Sequence, residues 1–203
     1  MKKRISIIIN ILIVIIELIA LKISYAYDNR IMIEYYTIDS NLLALLSSIF
    51  YLFYIFSKSK KSNVIRILKY ISTICLLITF LVVIFVLLPM LNFNFKMLLI
   101  SGAMFPHHVL CPILSFITFV WFDDLGKFNK KDYCYPVIAT LIYAFVLIIL
   151  NLLTIVDGPY PFLRVYNQSI LSSIIWFVLI IYICYLISKY VLKLRNQPMV
   201  HLK

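Results

Sequence analysis

Apolar side chains run through this chain in blocks of about 20 residues separated by short polar breaks, the length a helix needs to cross a hydrocarbon core of about 30 Å. Six such blocks stand at residues 5–24, 38–57, 67–91, 100–122, 135–155 and 168–191. The polar segments between them are too short for a separate soluble domain. The pattern therefore predicts an all-α polytopic membrane protein, a single six-helix transmembrane bundle over residues 1–203.

Composition agrees with that reading. Hydrophobic residues make up 64% of the chain and charged residues 13%, about half of what a soluble surface carries. A disordered chain is excluded by the same excess of aromatic and aliphatic side chains. The formal net charge of +11 does not call for a nucleic-acid partner, because of the 19 Lys and Arg, 15 fall on one side of the predicted bundle. These are Lys2, Lys3, Arg4, Lys58, Lys60, Lys61, Arg66, Lys69, Lys127, Lys130, Lys131, Lys189, Lys193, Arg195 and Lys203, against Lys22, Arg30, Lys96 and Arg164 on the other. Basic residues concentrate on the cytoplasmic side, so both termini are expected there and the localisation is a cell membrane. The first block has a second reading as a secretory signal, with Lys2–Arg4 before the apolar stretch and Ser24-Tyr25-Ala26 after it. Its length and Glu17 favour a retained span. Cys75, Cys111, Cys134 and Cys184 have no metal-ligand or disulfide spacing, and neither a metal nor a cofactor is expected.

Polar side chains inside apolar helices mark the face turned toward the bundle. Thr37, Ser40, Asn41, Ala44, Ser47 and Ser48 form one such stripe, and His108, Cys111, Ser115 and Thr118 another. The fifth block offers Thr140, Tyr143, Asn151 and Thr154, the sixth Ser169, Ser172, Ser173 and Trp176, and the first Asn10 and Glu17. Many of these lie toward the outer ends of their spans. His108, fifteen residues from Asp123, is about 22 Å up the axis at 1.5 Å per residue. Thr37, His108, Asn151 and Ser172 are thus expected around one outer cavity, with Glu17 and Cys111 also lining it and Tyr160 and Trp176 at its rim. Packing alone accounts for most single Ser or Thr residues in such stripes. Two adjacent histidines exceed that need, and the stripe selects His108 over His107. Glu17 is expected to be protonated, paired with Lys22 or a histidine, or wetted. Asp123 and Asp124, beside Lys127, Lys130 and Lys131, read as a solvated helix end.

The segment Tyr35-Tyr36-Thr37-Ile38-Asp39-Ser40-Asn41-Leu42-Leu43 resembles the aromatic-Phe-Thr-x-x-Ser-Asn-Leu opening of the second span in small six-helix bacterial membrane proteins. The run from His108 through Pro112 to Ser115, Phe116 and Phe119 resembles their His-x-x-x-Pro span. These proteins are distant relatives of the androgen-induced type of multi-pass membrane protein, some of which hydrolyse fatty acid esters with an intramembrane threonine and a histidine. The resemblance implies a nucleophile at Thr37 and a base at His108, with His107 as competitor; Tyr36 and Asp39 stand where the related pattern has Phe and an amide. Ser40 or Asn41 is then the expected oxyanion donor. Membrane lipids and a lipophilic ester are the implied partners. Two other classes fit the same pattern: a small-solute transporter or channel, and a non-catalytic membrane partner or assembly protein. The first is weakened by the absence of an inverted repeat.

Overall fold

The computed structural model describes residues 1–29, 32–57 and 62–197. Arg30, Lys58, Lys60, Lys61 and Lys203, all used in the charge partition, lie outside the described residues. Those described are mostly helical, without a strand among them, and six long helices carry the fold. They are α1 (Lys2–Asp28), α2 (Tyr36–Ser57), α3 (Asn63–Met90), α4 (Pro106–Phe122), α5 (Cys134–Leu152) and α6 (Ile170–Asn196). All except α4 are long and apolar enough to cross a bilayer, which is compatible with an integral membrane protein. The exterior is built accordingly. Ile8, Leu12 and Ile15 of α1, Phe145 and Val146 of α5 and Ile174, Ile175 and Val178 of α6 all point outward, an apolar surface too extensive for water.

The α4 segment departs from the expected block at 100–122. Ser101 is extended and Gly102 has φ +56°, so the chain breaks there and the helix starts at Pro106. Its first and last turns, Pro106–Leu110 and Thr118–Phe122, are π-helical around an α-helical centre. Proline at 112 explains the first of these. It has no N–H to donate to the His108 carbonyl and its ring crowds that group, so the turn widens. Pro89 stands in the same relation to the π-helical turn Val83–Leu87 of α3.

α3 is the central helix, packed against α2, α4, α5 and α6, while α1 packs between α2 and α4. α1 presents one stripe to the bundle, Ser6, Asn10, Ile13, Glu17 and Ala20, each fully buried, at alternating spacings of four and three. The polar stripes of α2 and α4 are buried as their periodicity implies. Between α2 and α5 the ring is not closed, and a cleft opens there. The end of the bundle carrying the α1–α2, α3–α4 and α5–α6 connections is called upper below, and the end carrying both termini lower.

Asp123 corrects the sequence reading most sharply. Its side chain is buried, not solvated, and its Oδ1 accepts hydrogen bonds from Ser6 (2.6 Å), Asn10 (2.9 Å) and Thr118 (2.8 Å). The Lys69 ammonium, counted above among the basic residues of the cytoplasmic side, is 1% exposed and stands 3.8 Å from Asp123 Oδ2. It donates to Asn10 Oδ1 (2.8 Å) and Ser48 Oγ (3.2 Å) and faces the Tyr51 ring. Arg195, at the lower end of α6, donates to the carbonyls of Phe119 and Asp123 and lies over the rings of Phe119 and Phe128. Five helices are tied at this one point.

Removing one partner of a buried ion pair leaves the other charge uncompensated, at a cost of about 3–5 kcal/mol, whereas replacing both by apolar groups is close to neutral. Asp123→Ala should therefore lower the unfolding midpoint of the detergent-solubilised protein sharply, and Lys69→Met/Asp123→Leu should recover most of it. A double variant as unstable as the single one would show that the ion pair is not the source.

Candidate functional site

At the upper end, the first turn of α2 brings Thr37 against the first turn of α4 and the α5–α6 connection. Thr37 is almost wholly buried, and its Oγ1 lies 3.5 Å from His108 Nε2 and 3.4 Å from the Tyr160 hydroxyl. The opposite ring nitrogen, His108 Nδ1, is 2.6 Å from the Leu98 carbonyl oxygen. A carbonyl can only accept, so the hydrogen of the neutral ring sits on Nδ1, leaving the Nε2 lone pair directed at Thr37. Leu98 reaches this position through a single π-helical turn, Lys96–Ile100, set ahead of the Gly102 break. No sequence signal marked Leu98, since its contribution is a backbone oxygen.

Ser40 and Asn41 surround Thr37 differently from the oxyanion role expected of them. Ser40 Oγ donates to the Thr37 carbonyl (3.0 Å) and pairs with Thr79 Oγ1 (3.0 Å). Asn41 Nδ2 donates to the same carbonyl (2.7 Å) and to the His107 carbonyl (3.3 Å). Both fix the backbone at Thr37, and Tyr160 is the hydroxyl that shares its space. The Thr37 N–H donates to that oxygen at 3.3 Å.

His107 and His108 are both buried, rather than His108 alone facing the bundle as the stripe implies. Their directions diverge and each meets a packed helix, His108 toward α2 and His107 toward α1. His107 faces the Ala20 backbone of α1, and the Glu17 carboxyl faces the Cys111 thiol, both within the protein interior. The expected pairing of Glu17 with Lys22 is not formed. Glu17 and Cys111 lie together between α1 and α4.

Asn151 and Ser172 are engaged elsewhere. Asn151 spans the α5–α6 connection, donating to the Val156 carbonyl (2.9 Å) and accepting from the Val165 N–H (3.1 Å). Ser172 closes the start of α6, its N–H donating to Ser169 Oγ at 3.1 Å. The connection they secure covers Thr37. A chain of rings crosses it, from Tyr35 edge-on to Tyr160 (5.9 Å), Tyr160 stacked on Phe162 (5.3 Å), and Phe162 against Trp176 (5.3 Å). Beneath it is a cavity of about 50 Å³ bounded by Thr37, Thr79, Tyr143, Tyr160 and aliphatic groups of α3 and α6, room for a water or a small polar group. Among the described residues no set of three or more His, Cys, Asp or Glu is arranged to hold a metal ion.

Comparisons with models of known protein families, with characterised proteins and with solved structures give no match to this chain.

Two measurements follow from the cover. Gly158 has no room for a side chain, since a Cβ there would sit 2.6 Å from the Leu163 carbonyl carbon and oxygen. Gly158→Ala should displace the connection, seen as faster proteolysis within residues 153–169 with the helical circular dichroism unchanged. Burial pushes the Tyr160 hydroxyl up to about 12, partly opposed by its bonds to Thr37. A raised value means that the folded state holds the proton after the displaced state has lost it. The cover is therefore fully stable below the ordinary tyrosine range near 10 and weakens as pH rises toward 12. Trp176 fluorescence in a Trp121→Phe background should report that loosening, and Tyr160→Phe should abolish the step.

Proposed function

We propose that the chain is an integral membrane protein of six spans with both termini cytoplasmic, in which Thr37 and His108 hydrolyse lipophilic esters within a bacterial cell membrane. The observation that carries the chemistry is the fixed tautomer of His108. A threonine hydroxyl is a weak nucleophile until a base takes its proton, and the Nε2 lone pair 3.5 Å away is placed to do so. The Leu98 carbonyl holds the ring by Nδ1 as a third group orients the base in other nucleophile–base pairs.

In this reading Thr37 Oγ1 attacks the ester carbonyl carbon as its proton passes to His108 Nε2. The Tyr160 hydroxyl donates to the oxygen that becomes negative. The alcohol departs with the proton from His108, and water activated by the same ring releases the acid from Thr37. The sixth span is α4, whose 17 residues stand at the short end of the range that crosses a bilayer.

The labelling test uses an alkyl phosphonate ester, whose adduct imitates the tetrahedral intermediate. It should modify Thr37, and Thr37→Ala and His108→Ala should each lose labelling and about 10²-fold or more of medium-chain ester turnover. Their losses should not add in the double variant. His107→Ala should change turnover far less. Full labelling of the His108→Ala protein would overturn the pair.

The orientation has its own check. A cysteine replacing exposed Asp157 should react with an impermeant thiol reagent in intact cells, and one replacing Gln197 should react only after the membrane is opened. The reverse pattern would invert the assignment of sides.

A further inference from the structure

The lower end of the bundle is strongly cationic where α6 finishes beside the α4–α5 connection. Lys127, Lys130, Lys131, Lys189 and Lys193 are all exposed there. The Asn196 side chain brackets Phe128, accepting its N–H (3.4 Å) and donating to its carbonyl (3.0 Å), and so fastens the connection to the last turn of α6. Arg66 donates to the Lys127 carbonyl at 2.8 Å, which ties the same stretch to α3. The rings of Tyr133 and Tyr185 meet edge to face at 5.3 Å, with the Lys189 ammonium 5.8 and 4.9 Å from their centroids. Residues three apart in a 3₁₀ turn share a face, so in the turn Lys130–Tyr133 the first residue stands on the side of Tyr133 that meets Lys189.

The sign of this patch does not turn on any one neighbour. The Asp132 carboxyl is buried, 3.5 Å from the Arg66 guanidinium and accepting the Asn129 N–H at 2.9 Å, and Asp123 is enclosed with Lys69. Asp124 is the one exposed acid among the described residues of this end, against eight exposed basic residues once Lys2, Lys3 and Arg4 are added. The stretches 58–61 and 198–203, outside the described residues, contain no Asp or Glu.

The patch also borders the apolar exterior. Tyr182, Leu186, Lys189 and Lys193 form one exposed stripe on α6, at spacings of four, three and four, and Ile138 is exposed on α5, which packs against α6. Tyrosines gather at the level of lipid headgroups. Tyr133, Tyr182 and Tyr185 thus mark the boundary, with aliphatic side chains above it and lysines below. An ammonium has three hydrogens to donate, and Lys189 gives one to the Tyr185 hydroxyl at 3.0 Å. The others are available to phosphate oxygens. A soluble polyanion would answer the lysines and leave the apolar stripe uncovered, whereas a phospholipid meets both.

We infer that the seam between the lower ends of α5 and α6 binds an anionic phospholipid, its phosphate among Lys130, Lys189 and Lys193 and an acyl chain along Ile138, Tyr182 and Leu186. Each lysine at the membrane surface favours an anionic headgroup. The inference goes beyond the hydrolase reading and needs only that the bundle spans a membrane. It is independent of which side is cytoplasmic and of whether Thr37 reacts.

Native mass spectrometry of the full-length protein in neutral detergent, titrated with phosphatidylglycerol or phosphatidylcholine of the same acyl chains, measures the first binding step for each lipid. Phosphatidylglycerol should bind more tightly by about tenfold or more. Lys130→Gln/Lys189→Gln/Lys193→Gln should bring the two constants together, and Lys130→Arg/Lys189→Arg/Lys193→Arg should keep them apart. Lys2→Gln/Lys3→Gln/Arg4→Gln removes as much charge from α1, which packs against α2 and α4, and should leave the preference standing. Glycerophosphoglycerol, the headgroup without its chains, should not displace the lipid at equal concentration. Thr37→Ala should bind as the unaltered protein does even if all ester turnover is lost. Equal binding of the two lipids by the unaltered protein, a preference that survives the three Gln substitutions on α6 and its neighbouring turn, one that is lost with those on α1 or with the Arg substitutions, or displacement by the free headgroup would each overturn the inference.

Discussion

A carboxylate deep in an apolar bundle must be answered by donors, and Asp123 is answered from four other directions at once. Ser6 and Asn10 come from α1, Lys69 from α3, Thr118 from its own helix, and Arg195 reaches its backbone from α6. Ser48 of α2 joins through Lys69. Because such groups are costly when unpaired, this junction holds the lower ends of five helices in one register. The upper end inherits that register. With α2 and α4 clamped through α1 and α3 at the bottom, their upper turns face each other closely enough for Thr37 and His108 to meet.

The upper end is built on a different economy of contacts. Around Thr37 the helices are joined by single hydroxyls, amides and an imidazole rather than by an ion pair. α5 stands outside the lower junction and meets α2 through Tyr36 and Thr140, which leaves the wide cleft beside that bond. A rigid lower end and an open upper end are what a protein needs if ligands enter from the membrane or from its surface while the scaffold stays fixed.

Much of this was legible in the sequence. The apolar blocks mark all six helices, five of them to within a few residues, because each is long and bounded by charge. The stripes of α2 and α4 are buried because a helix period is regular enough to read without a structure. Thr37 and His108 meet, whereas Tyr160, expected at a rim, is buried against Thr37. The misreadings share a cause. Asp123 follows an apolar block and Lys69 stands in the first turn of another, where charges usually face water, and nothing local in sequence reveals that each is the other's partner. Asn151 and Ser172 belong to inward stripes in pattern, yet Asn151 bonds the backbone of the α5–α6 connection and Ser172 bonds the Ser169 side chain. Both histidines are buried because their diverging directions each meet a packed helix, His107 meeting α1 and His108 meeting α2. Leu98 was invisible because only its carbonyl takes part.

The reach of Arg195 back to Phe119 and Asp123 has a bearing on biosynthesis. Chains emerge N-terminal end first, and elements fold as they become available. By the time Asp123 is made, Ser6, Asn10, Ser48 and Lys69 already exist, so α1 to α4 can close their polar junction before α5 and α6 are synthesised. The carbonyls of Phe119 and Asp123 must then wait, facing the place where the last helix will stand. A ribosome product stopped short of residue 195 leaves those two acceptors without the Arg195 donors. Docking of the final turn of α6 is thus the event that distinguishes a finished molecule from an unfinished one.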